Sequence, residues 1–192
     1  MEGLFKIVER NISGKKVLGL FLLTNLIYAF MLAYTIPKTM HFSNGLELLD
    51  MRPTGYDLDY VNALFNALGE RGRETYLTTQ IPVDMIYPLL FGVSYSLVIG
   101  YFLNKLNKLQ APYAYLCVLP IISGVADYVE NFGIIFMLSK YPDLPQALVT
   151  TTSIFSVIKS VSTTVFFVSL ITVLLVLGFQ AMNRKKTTAN NI

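Results

Sequence analysis

Apolar residues in this chain come in long unbroken blocks, without the alternation of roughly 2 or 3.6 residues that marks a half-buried strand or helix of a water-soluble core. Four blocks, at 17–36, 82–103, 113–138 and 148–180, are each long enough to cross roughly 30 Å of hydrocarbon at about 1.5 Å per residue. They predict four transmembrane helices in one membrane domain, 1–192, with an all-α fold: an integral membrane four-helix bundle. The stretch 37–81 reads differently. Leu58, Val61, Leu64, Phe65 and Leu68 recur there at helical spacing, Asp57 suits an N-cap and Gly69 a stop, so a short helical insert is expected between helices 1 and 2. Residues 51–56 read as a turn before it, and 69–74 as a polar link into a second short helix ending at Pro82. Residues 1–16 form an amphipathic segment and 181–192 a polar tail.

Charge orients this pattern. Lys6, Arg10, Lys15 and Lys16 precede the first block, Lys105 and Lys108 follow the second, and Arg184, Lys185 and Lys186 follow the fourth. The insert instead mixes Lys38, Arg52, Arg71 and Arg73 with six acids, Glu47, Asp50, Asp57, Asp59, Glu70 and Glu74. The bias of basic residues toward cytoplasmic loops predicts both termini inside and the insert outside, with the bacterial inner membrane as the expected location. No small-x-small cleavage site follows the first block, where Tyr34-Thr35-Ile36-Pro37 stands, so it reads as an uncleaved signal anchor. The net charge of +3 is scattered over segment ends and gives no footprint for nucleic acid. A single Cys117 and a single His41 offer neither a disulfide nor a zinc ligand set; no metal and no cofactor is expected.

Charge inside the blocks is where chemistry is to be sought, because an ionisable side chain in hydrocarbon is costly. Asp127 and Glu130 interrupt the third block, Lys159 the fourth, and Asp84 lies two residues inside the second. At about 100° per residue Ser123, Asp127 and Glu130 share one face within roughly 60°. Thr152, Ser156, Lys159 and Thr163 share another on the fourth helix, where Thr152, Ser156, Ser160 and Thr164 form a ladder that suits close helix contact. Helices 3 and 4 should pack there, with Glu130 as the partner of Lys159, Asp127 deepest, and Asp84 near the outer interface within reach of Arg71 or Arg73. A lysine–carboxylate pair is also what two helices use simply to hold together. But one lysine balances one carboxylate and there are three, so at least one should be protonated, wetted or met by an arginine of the insert. Asp84, Asp127 and Glu130 are therefore candidate acid/base groups or proton carriers. Arg71 and Arg73 read either as part of a lid or as an anion clamp over the site. Lys159, Tyr87, Phe91, Tyr95, Ser123, Ser156 and Asn131 complete the candidate ligand-binding set, with packing as the alternative role of the tyrosines. Gly92, Ser96 and Gly100 form a small-xxx-small stripe for a homo-oligomer or another membrane protein.

The strings Gly69-Glu70-Arg71-Gly72-Arg73-Glu74-Thr75-Tyr76-Leu77, Pro82-Val83-Asp84-Met85-Ile86-Tyr87-Pro88 and Asp127-Tyr128-Val129-Glu130-Asn131 resemble those of an uncharacterised family of small four-span bacterial membrane proteins, over roughly residues 26–173. That resemblance implies the four-span fold and no activity. In architecture and acid placement the chain is also loosely similar to the emopamil-binding and sigma-2 receptor group, bundles whose acidic residues face a sterol or cationic amphiphile pocket; the tryptophan of the isomerase pocket has no counterpart, since this chain has none. The function expected is binding of a lipid or amphiphilic small molecule in an outward-facing polar cavity, with its chemical modification as an extension. The alternatives are a proton-coupled carrier or channel subunit and a non-catalytic assembly partner.

Overall fold

The computed structural model describes residues 2–189; the tail residues 190–192 lie outside the described residues. Those described contain no strand. Four helices are long and apolar enough to cross a membrane: Gly14–Met40, Leu58–Lys105, Tyr113–Lys140 and Gln146–Asn183. The chain is an all-α membrane protein with a four-helix bundle and a helical insert between the first and second spans.

An amphipathic α1 (Glu2–Asn11) leads through an extended Ser13 into α2 (Gly14–Phe30). The first span then widens into a π turn, Met31–Thr35, and closes with α3 (Ile36–Met40). The insert folds onto the bundle as α4 (Leu58–Thr75), a second π turn at Tyr76–Gln80, and α5 (Ile81–Asp84), which delivers the chain to α6 (Tyr87–Lys105). A 3₁₀ stretch, Tyr113–Val118, precedes α7 (Leu119–Lys140), and α8 (Gln146–Ala189) completes the bundle. At 44 residues α8 runs to about 66 Å, twice what a bilayer core needs.

Local chemistry accounts for these elements. Asp57 Oδ1 accepts the Tyr60 backbone N–H at 2.8 Å and so starts α4. Gly69, at φ 62°, breaks α4 into two helical pieces, a left-handed residue that glycine adopts without a Cβ penalty. Across that break Arg73 Nη1 donates to the Phe65 carbonyl at 2.8 Å, meeting an acceptor that the kink leaves open. Each π turn is followed by Ile-Pro, Ile36-Pro37 and Ile81-Pro82; proline has no N–H for the carbonyl one turn earlier, and the ladder widens there.

The seams between α6 and α7 and between α7 and α8 are set by glycine. A Cβ on Gly124 would stand 2.6 Å from the Pro88 carbonyl of α6, and a Cβ on Gly133 would collide with Thr152 of α8. Backbones in contact bring α7 and α8 side chains within direct reach of each other. The Gly92, Ser96 and Gly100 stripe is used inside the chain: Gly92 faces the Pro120 carbonyl, Ser96 is buried, and a Cβ on Gly100 would meet Val8 of α1 at 2.5 Å. The space that the stripe opens at Gly92 and Gly100 is taken within the chain by α7 and α1.

Two apolar cores result. One, at the insert end, joins Leu48, Leu49, Val61, Leu64, Phe65 and Tyr76 of the insert to Ile134 and Met137 of α7 and Val149 of α8. The other, at the end where the termini lie, joins Val8 and Val17 to Tyr95, Ile99 and Leu103 of α6, Cys117, and Phe166, Leu170 and Val173 of α8.

Candidate functional site

Lys159 lies on the side of α8 that meets α7, two turns along from the tight Gly133–Thr152 contact. Its Nζ makes a 2.5 Å ion pair with Glu130 Oε2, approached off the line of an ideal hydrogen bond, and donates to Asp127 Oδ1 at 3.2 Å. A third contact comes from the insert, where the Asp50 backbone carbonyl accepts from the same ammonium at 3.2 Å. An ammonium has three N–H bonds, and three acceptors now surround it. Glu130 is wholly buried, and its Oε1 has no partner among the described residues.

The segment that supplies Asp50 is a roof over this knot. The 3₁₀ turn Leu49–Met51 dips toward the bundle, and α8 holds it by its backbone: Ser156 Oγ donates to the Arg52 carbonyl at 3.0 Å, and the Tyr56 N–H donates to Ser153 Oγ at 2.8 Å. Gly55, at φ 82°, makes the close passage over Ser153, where a Cβ would stand 2.5 Å from its hydroxyl. The Asp50 carboxylate is itself consumed. Its Oδ1 accepts from the Tyr76 hydroxyl at 2.5 Å and its Oδ2 from Gln80 Nε2 at 2.9 Å, while Gln80 Oε1 accepts from Thr35 Oγ1 at 2.5 Å. Thr35 and Gln80 each end a π turn, so the two widened turns meet through their side chains and brace the roof. Burial raises the Tyr56 hydroxyl well above the ordinary tyrosine range, with the nearby Glu130 adding to the effect, so this roof hydroxyl stays neutral.

Beneath the roof lies a cavity of about 410 Å³. Its polar lining is Asp50, Asp84, Asp127, Lys159, Ser123 and Thr163, and its apolar lining includes Met31, Ile36, Met51, Tyr87 and Phe91. Tyr28 and Leu32 of α2 and Ser160 and Thr164 of α8 also line it, and Tyr28 and Leu32 are 42% and 47% exposed. The long seams of the bundle are α2 with α6, α6 with α7 and α7 with α8, leaving α2 and α8 unsealed at this level. The cavity thus has a sideways mouth, toward the apolar belt of the protein. On the other side of Phe91 the space is filled: Phe91, Tyr95, Phe166 and Phe167 stack with ring centroids 4.7 to 6.3 Å apart.

The residues singled out in the sequence divide into three groups. Asp84, Asp127, Lys159, Tyr87, Phe91 and Ser123 line the cavity, and Glu130 braces it from behind through Lys159. Ser123 shares a 2.6 Å hydrogen bond with Thr163 across the seam between α7 and α8. Tyr95, Ser156 and Asn131 lie close by in structural roles: the Tyr95 hydroxyl donates to Asn25 Oδ1 at 3.2 Å, Ser156 holds the roof, and Asn131 Nδ2 donates to the Asp84 carbonyl at 3.4 Å. Arg71 and Arg73 are away from the cavity. Arg71 is exposed, and Arg73 stacks on Tyr141 at 4.7 Å while bonding Phe65, because the kink at Gly69 turns this stretch toward the end of α7. Neither arginine lines the cavity, which the insert covers through the Leu49–Met51 turn.

Asp84 departs from its expected place at an interface. It is only 4% exposed, no arginine reaches it, and its Oδ2 has no hydrogen-bond partner among the described residues. The short α5 and the roof above it bury a residue that the block boundary puts near water. Asp50, Gln80 and Thr35 are parts of the site that the sequence reading passed over. Their one sequence signal is that Thr35-Ile36-Pro37 and Gln80-Ile81-Pro82 repeat a polar-Ile-Pro pattern at the two ends of the insert. The four-residue ladder splits by function: Thr152 packs on Gly133, Ser156 binds the roof, and Ser160 and Thr164 face the cavity. No known protein family model, curated protein or solved structure matches the chain.

Proposed function

We propose that the chain binds a membrane-resident amphiphile in the roofed cavity, the head lodging among the charged groups at Asp84, Asp127 and Lys159 and the tail leaving through the mouth between α2 and α8. The observation that carries this reading is the form of the cavity: charged on one wall, apolar on the other, roofed on the insert side, filled with aromatic rings on the far side, and open sideways. Pockets with a few convergent polar groups in an apolar lining suit small ligands, and a sideways mouth suits one that already resides in the bilayer. A proton-coupled carrier would need a polar path to the far end, and the ring stack of Phe91, Tyr95, Phe166 and Phe167 occupies that path.

In this reading the basic end carrying Lys6, Arg10, Lys15, Lys16, Lys105 and Lys108 faces the cytoplasm, and the insert and cavity face outward in a bacterial inner membrane, in line with the resemblance of its strings to four-span bacterial proteins. Asn66 and Asn107 are both exposed. Asn66→Cys should react with an impermeant maleimide on intact cells and Asn107→Cys should not; reversed labelling would overturn the orientation. The binding claim is tested by mass spectrometry of lipids that co-purify with the protein. One amphiphile class should be enriched over the bulk membrane, and Leu32→Trp or Ser160→Trp at the mouth should deplete it. No enrichment, or enrichment indifferent to both substitutions, would sink the proposal.

A further inference from the structure

The two ends of the bundle carry charge differently. At the insert end Lys38, Arg52, Arg71, Arg73 and Lys140 stand among a larger number of acids. At the other end Lys6, Arg10, Lys15, Lys16, Lys105 and Lys108 are set against Glu2 and Glu9 alone. All six of these cations are exposed, and none is in an ion pair among the described residues, where the pairs join Arg52 to Glu47 and Lys159 to Asp127 and Glu130. Tertiary contacts gather part of this charge. Gly14, the first residue of α2, lies against Tyr101 of α6, with its Cβ position 3.5 Å from the tyrosine hydroxyl, and Lys105 Nζ stands 4.8 Å from the centroid of the same ring. The start of α2 and the end of α6 thus set Lys15, Lys16 and Lys105 around one tyrosine.

This corner lies at the rim of the apolar belt. Lys16 immediately precedes the apolar block 17–36, and Lys105 follows the block 82–103. At about 100° per residue Lys15, Leu18, Gly19 and Leu22 share one face of α2. That face is open: Leu18 and Leu22 are 57% and 58% exposed, and a Cβ on Gly19 would meet nothing within 4 Å. Unpaired cations above an uncovered apolar strip match the division of a phospholipid into phosphate and chain. A soluble anion would use the lysines and leave the strip bare.

We propose that this corner binds an anionic phospholipid, its phosphate held by Lys15 and Lys105 and one acyl chain lying along Leu18, Gly19 and Leu22. The site is separate from the roofed cavity, since none of these residues lines it, and it does not depend on what the cavity holds. Lysine is a compact point charge on a flexible stem, so it answers the charge of a phosphate without fixing its geometry. A zwitterionic head, whose own ammonium offsets its phosphate, gains little from it.

The test is native mass spectrometry of the full-length protein in nonionic micelles with dimyristoyl phosphatidylglycerol and dimyristoyl phosphatidylcholine, identical chains at equal concentration. Wild type should retain the glycerol lipid about tenfold more than the choline lipid, the preference that one or two lysines near an anionic head give. Lys15→Gln combined with Lys105→Gln should reduce that preference to about twofold or less. Both lysines are exposed, so the double variant keeps its core. Lys140→Gln, at an exposed lysine of the insert end, and Leu32→Trp, at the cavity mouth, should each leave the preference unchanged. Equal retention of the two lipids by wild type, a preference that survives the double substitution, or an equal fall in Lys140→Gln overturns the proposal. Loss of the preference in Leu32→Trp would place the lipid in the cavity and overturn this site alone. Displacement of the glycerol lipid by millimolar glycerol phosphate would mark a site for a soluble anion and overturn the lipid assignment.

Discussion

The insert half and the far half of this bundle bury similar helices in opposite ways. In the insert half the core is threaded by hydrogen bonds: Lys159 to the Asp50 carbonyl, Asp50 to Tyr76 and Gln80, Gln80 to Thr35, and Ser156 to Arg52. In the far half the contacts are apolar and aromatic, with Phe166 wholly buried among Phe91, Tyr95 and Phe167 and Val8 pressed against Gly100. Packed rings need no partner beyond shape, and they seal. Polar groups in a low-dielectric interior must each find a partner, and the few that do not are where a ligand gains most. Asp84 is such a residue, and it sits on the cavity side of the seal. One half is sealed by packed rings, and the other is held by hydrogen bonds and an ion pair around a cavity.

The sharpest way to break this contrast is at the charged knot. Lys159→Met leaves Glu130 and Asp127 buried without a cation and should lower unfolding free energy by about 3–5 kcal/mol. In a Glu130→Gln background the same substitution should cost far less. Chemical unfolding in micelles measures both, and simple additivity would mean that the pair is not coupled.

Next in size is the aromatic seal. Phe166→Ala empties a buried ring position and should cost about 3 kcal/mol. Amphiphile retention in the cavity should survive, because Phe166 is not among its lining residues. Loss of that retention at a temperature where the variant is still folded would show that the two halves are not independent.

The roof is held by weaker bonds. Ser156→Ala removes the donor to the Arg52 carbonyl and should cost about 1 kcal/mol, with faster hydrogen exchange confined to residues 48–56 as the accompanying sign. Exchange spread evenly over the chain would speak against the roof as a separate unit. The smallest effect is expected at Arg71, which is exposed and away from the cavity: Arg71→Ala should change stability by no more than about 0.5 kcal/mol and leave amphiphile retention unaltered. A marked loss of retention in that variant would restore the clamp that the fold argues against.

How much of this was legible along the chain depended on the range of the physics involved. Block length decided the four spans, because hydrocarbon thickness sets helix length directly. Helical spacing with Asp57 and Gly69 decided the insert helix and its break, since capping and a positive φ are local requirements. The nearness of Lys159 to Glu130 and Asp127 was also within reach, from shared helix faces and a short connecting turn. Other features came only from the tertiary structure. Arg71 and Arg73 look like ligands in a string of residues, yet a single kink at Gly69 sends Arg73 to Phe65 and Tyr141. Asp84 looks interfacial by its position in a block, and only the roof and α5 make it buried. Asp50 looks like one more surface acid of the insert, and becomes part of the site because a 3₁₀ turn carries its backbone carbonyl to Lys159, 109 positions away in the chain. Composition and periodicity set which groups had to leave water; which of them would meet, and which would be left without a partner, depended on loop closures whose register no local preference encodes.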